Sequence, residues 1–177
     1  MDAGTVRVRR IAPDDGPLLR ELRLRSLSDA PEAFGQTADE ARARTDDDWT
    51  AQARAASSGE RRAWLIAEID DVPVGLVLAR RRPPDTALVF SMWVDAGHRR
   101  AGIGRALLDA VSVWARGWGA TTIVLWVFGA NDVAICFYKR LGFAMIAAGP
   151  DAESGSPYGA LAMSLALDPG ESGMIAG

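Results

Sequence analysis

The segment His98-Arg99-Arg100-Ala101-Gly102-Ile103-Gly104-Arg105-Ala106-Leu107 constrains this chain more than any other. A run that reads as a strand, Ala87 to Val94, leads into it, and a run that reads as a helix, Gly102 to Gly117, leads out. The two glycines allow a tight turn and a close approach of backbone to a bulky ligand, since neither carries a side chain. The first amides of the helix lack partners inside it and sit at the positive end of its dipole. Such a string of N–H groups makes a cradle for a phosphate or pyrophosphate, and Arg99, Arg100 and Arg105 would add charge at its rim. The spacing is not that of a P-loop, which needs a lysine and a hydroxyl after its second glycine. Nor is it the dinucleotide fingerprint, because Leu107 stands where the third glycine would be and the loop lies past the middle of the chain.

Length and charge narrow the alternatives. The 177 residues suit one domain with a substantial core, expected over 1–167, with a flexible tail over 168–177. A net charge of −3 gives no reason to expect nucleic acid or an anionic membrane as partner. No apolar run approaches the ~20 residues of a membrane span, and Met1 to Gly4 carries no signal-peptide pattern. One cysteine, Cys136, allows no internal disulfide, and with one histidine, His98, it leaves no His/Cys metal cluster. No metal is expected, and a reducing cytoplasm is the expected compartment.

Along the chain, Thr5 to Ile11 reads as a short strand. Asp14 or Asp15 can cap a helix with Pro17 in its first turn, packing leucines inward and ending near Asp29-Ala30-Pro31. Thr37 with Glu40 forms a capping-box pattern that opens a second helical stretch to Ala56, anchored by Trp49, with a break around Thr45 to Asp48. Arg62 to Ile69 and Val74 to Ala79 form a hairpin through Asp70-Asp71-Val72-Pro73. Arg80-Arg81-Arg82-Pro83-Pro84 reads as a solvated turn before the central strand. The helix after the glycine loop carries Ile103, Leu107, Leu108, Val111 and Trp114 on one face. Thr121 to Phe128 reads as a buried strand, Val133 to Leu141 as a helix capped by Gly142, and Phe143 to Ala148 and Tyr158 to Leu167 as strands flanking a small-residue loop at 149–157. The expected order is βααβββαβαββ in one mixed α/β sheet of about seven strands, with a right-handed parallel crossover around the glycine loop.

Arg99-x-x-Gly102-x-Gly104, then Asn131, then Cys136-Phe137-Tyr138-Lys139-Arg140-Leu141-Gly142-Phe143 occur in this order and in these strand and helix contexts. Together they resemble the signature of the GNAT N-acetyltransferases, and the expected topology is similar to that family's over roughly 5–167. The stretch Leu22-Arg23-Leu24-Arg25 with Pro31-Glu32-Ala33-Phe34-Gly35 resembles the family's substrate-side helix and loop. The resemblance implies acetyl-coenzyme A as co-substrate and transfer of its acetyl group directly to a primary amine. Backbone groups of Met92, Trp93 and Val94 would pair with the pantetheine arm as an added strand, one of them steadying the thioester oxygen. Amides of Arg99, Arg100, Ala101, Gly102, Ile103, Gly104 and Arg105 would hold the pyrophosphate. Asn131 would orient the coenzyme or the start of its helix, and Tyr138 would protonate the departing thiolate.

The general base is open. Some relatives place a glutamate on the central strand, but Thr86 to Val94 contains no acid, and Asp85 and Asp95 only flank it. Glu32, Glu68, Asp95 and a water-mediated route all remain. Phe34 and Glu32 are candidate substrate contacts, Phe34 and Trp49 being equally suited to a core role. His98 reads as a loop residue, Cys136 as a buried small hydrophobe, and Asp46-Asp47-Asp48 as a solvated face. The leading acceptor is a small-molecule amine, with no nucleic acid or membrane partner; a protein N-terminus or lysine is the alternative. A non-catalytic acyl-coenzyme A-binding module is the competing class. A homodimer is compatible with this fold.

Overall fold

The computed structural model describes residues 5–147 and 160–168. Seven strands form one sheet in the order β1-β2-β3-β4-β5-β7-β6. β1 is Val6–Arg10, β2 Arg62–Ile69, β3 Val72–Arg82, β4 Thr86–Val94, β5 Thr122–Phe128, β6 Ala144–Ile146 and β7 Ala160–Ala166. Every neighbouring pair is antiparallel except β4 and β5, which run parallel. The helices are α1 Gly16–Asp29, α2 Ala38–Arg42, α3 Asp46–Ser57, α4 Ile103–Gly117 and α5 Asp132–Arg140. The expected mixed sheet of seven strands is therefore present, and α4 supplies its one parallel crossover.

The sheet separates two cores. On one face α4 buries Ile103, Leu107, Leu108 and Val111 against Val77, Val89, Ile123 and Leu125. On the other, α1 and α3 bury Leu19, Leu22, Leu27 and Trp49 against Trp64, Ile66, Leu76 and Trp93. Trp49 is 2% exposed, so it belongs to the core. From Ala63 to Ala67 in β2 and from Leu76 to Ala79 in β3, successive residues face one core or the other, which is why these strands read as continuous apolar runs.

The expected break after Thr37 is present: the stretch is two helices, because a second capping box, Thr45 with Asp48, follows the first. Two local expectations are revised. Asp15 occupies the position before α1 but does not cap it; its carboxylate accepts from the Arg9 guanidinium at 2.6 Å and the Ala12 N–H at 2.8 Å. The arginines at 80–82 extend β3 instead of forming a turn, paired with Leu88, Ala87 and Thr86 of β4. Arg81 lies 4.7 Å above the Trp118 ring and pairs with Glu60 at 2.6 Å, so tertiary contacts hold residues whose local pattern is polar. The expected loop at 149–157 lies outside the described residues, as does the expected tail from 169 onward. No described helix is long and apolar enough to cross a membrane.

Candidate active site

The sheet opens in its middle. β4 and β5 pair from Thr86/Thr122 to Val89/Leu125 and no further. At that point β4 bulges: Leu78 pairs with Phe90 and Leu76 with Trp93, so Ser91 and Met92 together oppose the single residue Val77. Ser91 takes φ +53°, an unusual backbone for a residue with a side chain. A bulge increases local twist and bends its strand, and here β4 parts from β5. The side of β4 that faces β5 carries no ladder from Phe90 to Val94. The cleft so formed reaches both faces of the sheet. Ser91 and Met92 line it from β4, Trp126 and Phe128 from β5, Asn131 and Tyr138 from α5 and its cap, and Ala33 and Phe34 from the connection between α1 and α2.

At the end of β4 the chain turns into α4 through two left-handed residues, Arg100 at φ +66° and Gly102 at φ +80°. Among the described residues, none of the N–H groups from 99 to 105 has an acceptor; the first amide with one is Ala106, donating to Gly102 O at 3.0 Å. Such a concave run of amides at a helix start fits an anionic group. The two glycines serve different ends. Gly102 permits the left-handed turn, whereas a Cβ on Gly104 would stand 2.9 Å from Phe137 Cζ and 3.4 Å from Met92 Cε. Gly104 thus lets α4 sit against α5 and the bulged strand.

The individual candidates divide between backbone and side-chain roles. Met92 lines the cleft, but the Trp93 indole is buried in the opposite core and donates to Asp29 Oδ2 at 2.9 Å. The Val94 carbonyl accepts from Arg99 Nε at 3.0 Å. Arg99 also pairs with Asp29 at the end of α1, so its guanidinium is committed to that carboxylate. Arg100 and Ala101 are exposed, Arg105 lies 3.8 Å from Asp109, and Ile103 is a core residue with only its amide at the loop. Asn131 caps α5, its Oδ1 accepting from Ala134 N–H at 3.1 Å. Phe34 reaches the cleft; Glu32 is exposed and is absent from the lining. Cys136 is exposed rather than buried, because α5 turns it to the solvent side.

Tyr138 is buried, and among the described residues its hydroxyl has no hydrogen-bond partner. Burial disfavours the phenolate and raises the group above its ordinary value near 10. It is thus a neutral donor throughout the usual working range, with its donor capacity uncommitted. The carboxylates are placed differently. Glu68 is enclosed with Arg7 and Arg9 at the β1–β2 side of the sheet. Asp95 accepts from Arg25 at 2.7 Å and from Gly97 N–H at 3.0 Å, and lies 3.3 Å from His98. The Arg25 bond, with help from His98 and Gly97, holds its carboxyl below the usual range. None of Glu32, Glu68 and Asp95 lines the cleft. The sequence reading passed over Ser91, Phe90 and Trp126. The one signal for the bulge was a serine interrupting an otherwise apolar strand.

Comparison with known proteins agrees with this geometry. The sequence model of the acetyltransferase (GNAT) family matches residues 21–143. A mycothiol acetyltransferase of Propionibacterium freudenreichii is 31% identical over 123 residues, 66% of this chain and 36% of that protein. An alanine N-acetyltransferase of ribosomal protein bS18 from Escherichia coli is 39% identical over 59 residues, 33% of this chain and 40% of that one. Matches of this kind span about two fifths of the relatives' own length. Among solved structures, the PaiA N-acetyltransferase of Thermoplasma acidophilum in complex with coenzyme A superposes with a TM-score of 0.74 at 16% identity, over 92% of this chain and 99% of that one. A GNAT-family acetyltransferase from Streptococcus pneumoniae does so with 0.74 at 18% identity, over 93% and 100%. Matched from within α1 to Phe143, just before β6, the chain belongs to the acetyltransferase (GNAT) family.

Proposed function

We propose that this chain is an N-acetyltransferase that moves an acetyl group from acetyl-coenzyme A directly to a primary amine of a small molecule. The observation that carries the reading is the split between β4 and β5, which brings an unpaired strand edge and an uncommitted buried phenol into one cleft, with a run of free amides where that strand leads into α4. The free amides of 99–105 match a pyrophosphate, and the unpaired edge of β4 at 90–94 matches the two amides of a pantetheine arm. Bound there, the coenzyme would supply an acyl group activated as a thioester. The chain's residues do the rest. A backbone N–H of the bulge region, from Met92 to Val94, donates to the thioester oxygen as negative charge grows on it. The Tyr138 hydroxyl donates to the sulfur as its bond to carbon breaks. Its raised proton affinity does not disqualify it, since the departing thiolate shares the same dry surroundings and its affinity for a proton rises for the same reason.

The test is release of free coenzyme A thiol across a panel of amines, run beside Tyr138→Phe. General acids contribute about a hundred-fold or more, so the variant should lose at least ten-fold in kcat while still binding acetyl-coenzyme A. A variant that keeps wild-type turnover removes Tyr138 from the reaction. A second reading, acetylation of a protein N-terminus, is favoured by the stretch shared with the bS18-alanine acetyltransferase. Labelled acetyl-coenzyme A added to lysate separates the two: label in protein supports the second reading, and label in soluble amines the first.

A further inference from the structure

Building on the acetyl-transfer reading, we propose that the acceptor of this cleft is an amine carried on an aromatic or bulky apolar body, and that polycationic amines are poor substrates. The acceptor end of the cleft is a wall of rings. Phe34 enters from the α1–α2 connection, Phe90 from β4, and Trp126 and Phe128 from β5. Phe90 and Trp126 stack on each other with centroids 5.7 Å apart and planes 19° apart. They lie on the sheet face that α1 and α3 cover only as far as Trp93, so their rings stay half-exposed. This wall is continuous with the bulge at Ser91 and with the Tyr138 hydroxyl, so an occupant would have its amine beside the acyl group.

Charge points the same way. No carboxylate is among the described residues that line the cleft, so a second or third ammonium on the acceptor finds no counter-ion there. The protein's own cations already stand on two of the rings. Arg80 lies 5.8 Å from the Phe90 centroid, and Arg23 lies 5.2 Å from that of Phe34. Neither has a carboxylate partner among the described residues; Arg23 donates to Ser26 Oγ and Gln36 Oε1 and is 4% exposed. Arg62 is the cross-strand neighbour of Arg80 and adds to the positive rim. Spermidine or an aminoglycoside would meet like charge at this end. An arylalkylamine would meet ring faces, which aromatic groups favour.

The same wall bears on the missing base. Moving an ammonium into apolar surroundings disfavours its charged form. An amine that enters this cleft on an apolar body therefore sheds its proton more readily, with no side chain assigned to take it. Water at the open mouth can receive the proton. The amine lone pair then forms the C–N bond, the C–S bond breaks and the sulfur takes the Tyr138 proton, while the proton the nitrogen sheds on becoming an amide passes through water to restore the phenol.

The experiment compares kcat/KM for phenylethylamine and tryptamine with that for spermidine and kanamycin, by thiol release from acetyl-coenzyme A. The expected result is a preference of at least ten-fold for the aryl amines. Trp126→Ala should raise the aryl-amine KM ten-fold or more while acetyl-coenzyme A affinity, read by calorimetry, stays within two-fold. Trp126→Leu gives the same comparison with less loss of packing. Arg80→Gln should narrow the preference by improving spermidine. Equal or better turnover of spermidine or kanamycin overturns the proposal and leaves acetyl transfer standing. An aryl-amine KM unmoved in both Trp126 variants also overturns it. Failure to bind acetyl-coenzyme A at all overturns the reading beneath it.

Discussion

Single residues decide how the site handles protons and how tightly its loop is wound. Because no carboxylate is among the described residues that line the cleft, the acidic limb of kcat/KM should follow the acceptor's own ionisation. Two amines of different pKa should give limbs displaced by that difference; a shared limb for both would reveal an enzyme base. Tyr138 has a second consequence. Its phenol is raised by burial, so the folded state holds that proton more tightly than the unfolded chain does. The resulting stabilisation is fully present below pH ~10 and is lost as pH climbs from there toward the folded value. Urea midpoints between about pH 8 and about pH 11 should therefore fall more in the wild type than in Tyr138→Phe. The glycines differ in kind as well as place. Gly102→Ala meets nothing within 4 Å but must hold φ +80°, a cost of about 1 kcal/mol, and Gly102→Asn should cost less because asparagine tolerates that region. Gly104→Ala would ordinarily stabilise a helix by about 1 kcal/mol. Here its Cβ presses on Phe137 and Met92, so urea denaturation should show no such gain and acetyl-coenzyme A should bind more weakly.

Between elements, the end of α1 is tied to the loop that follows β4. Asp29 accepts from the Trp93 indole and from Arg99, while Arg25, on the same helix, pairs with Asp95 and lies over the Trp93 ring at 5.4 Å. The loop of free amides and the connection carrying Phe34 thus hang from one small polar cluster. Asp29→Ala should cost about 1–3 kcal/mol in stability, since a buried indole N–H loses its acceptor. It should also raise the KM for acetyl-coenzyme A, because Arg99 no longer braces the loop. A variant as stable as wild type, with an unchanged KM, would show that the cluster holds nothing in place. The bulge in β4 is the matching device on the strand side: it parts β4 from β5 and leaves Trp93 facing the core that Asp29 borders.

For the molecule as a whole, the design is a sheet well covered at β1–β4 and open between β4 and β5. Acetyl-coenzyme A should therefore slow amide hydrogen exchange at 90–94 and 99–105 far more than in β1, β2 or α3; uniform or remote protection would contradict the placement. Much of the architecture was legible in the sequence. Alternating and continuous apolar runs marked the strands, Thr37 with Glu40 marked a helix start, and the glycine loop with the Tyr138 helix marked the family. The misread elements were those governed by distant partners. Arg80 to Arg82 look like a turn until β4, Trp118 and Glu60 are placed beside them, and Asp15 looks like a cap until Arg9 claims it. Arg99 looks like a free cation for a phosphate until folding delivers Asp29 to it. By itself the sequence determined which segments are strands and helices and where the chain turns through glycines into the start of α4, because periodicity, capping and glycine act over a few residues. Only the tertiary structure decided what lines the cleft and with what charge, because those side chains come from four separate stretches that the sheet, and its bulge, bring together.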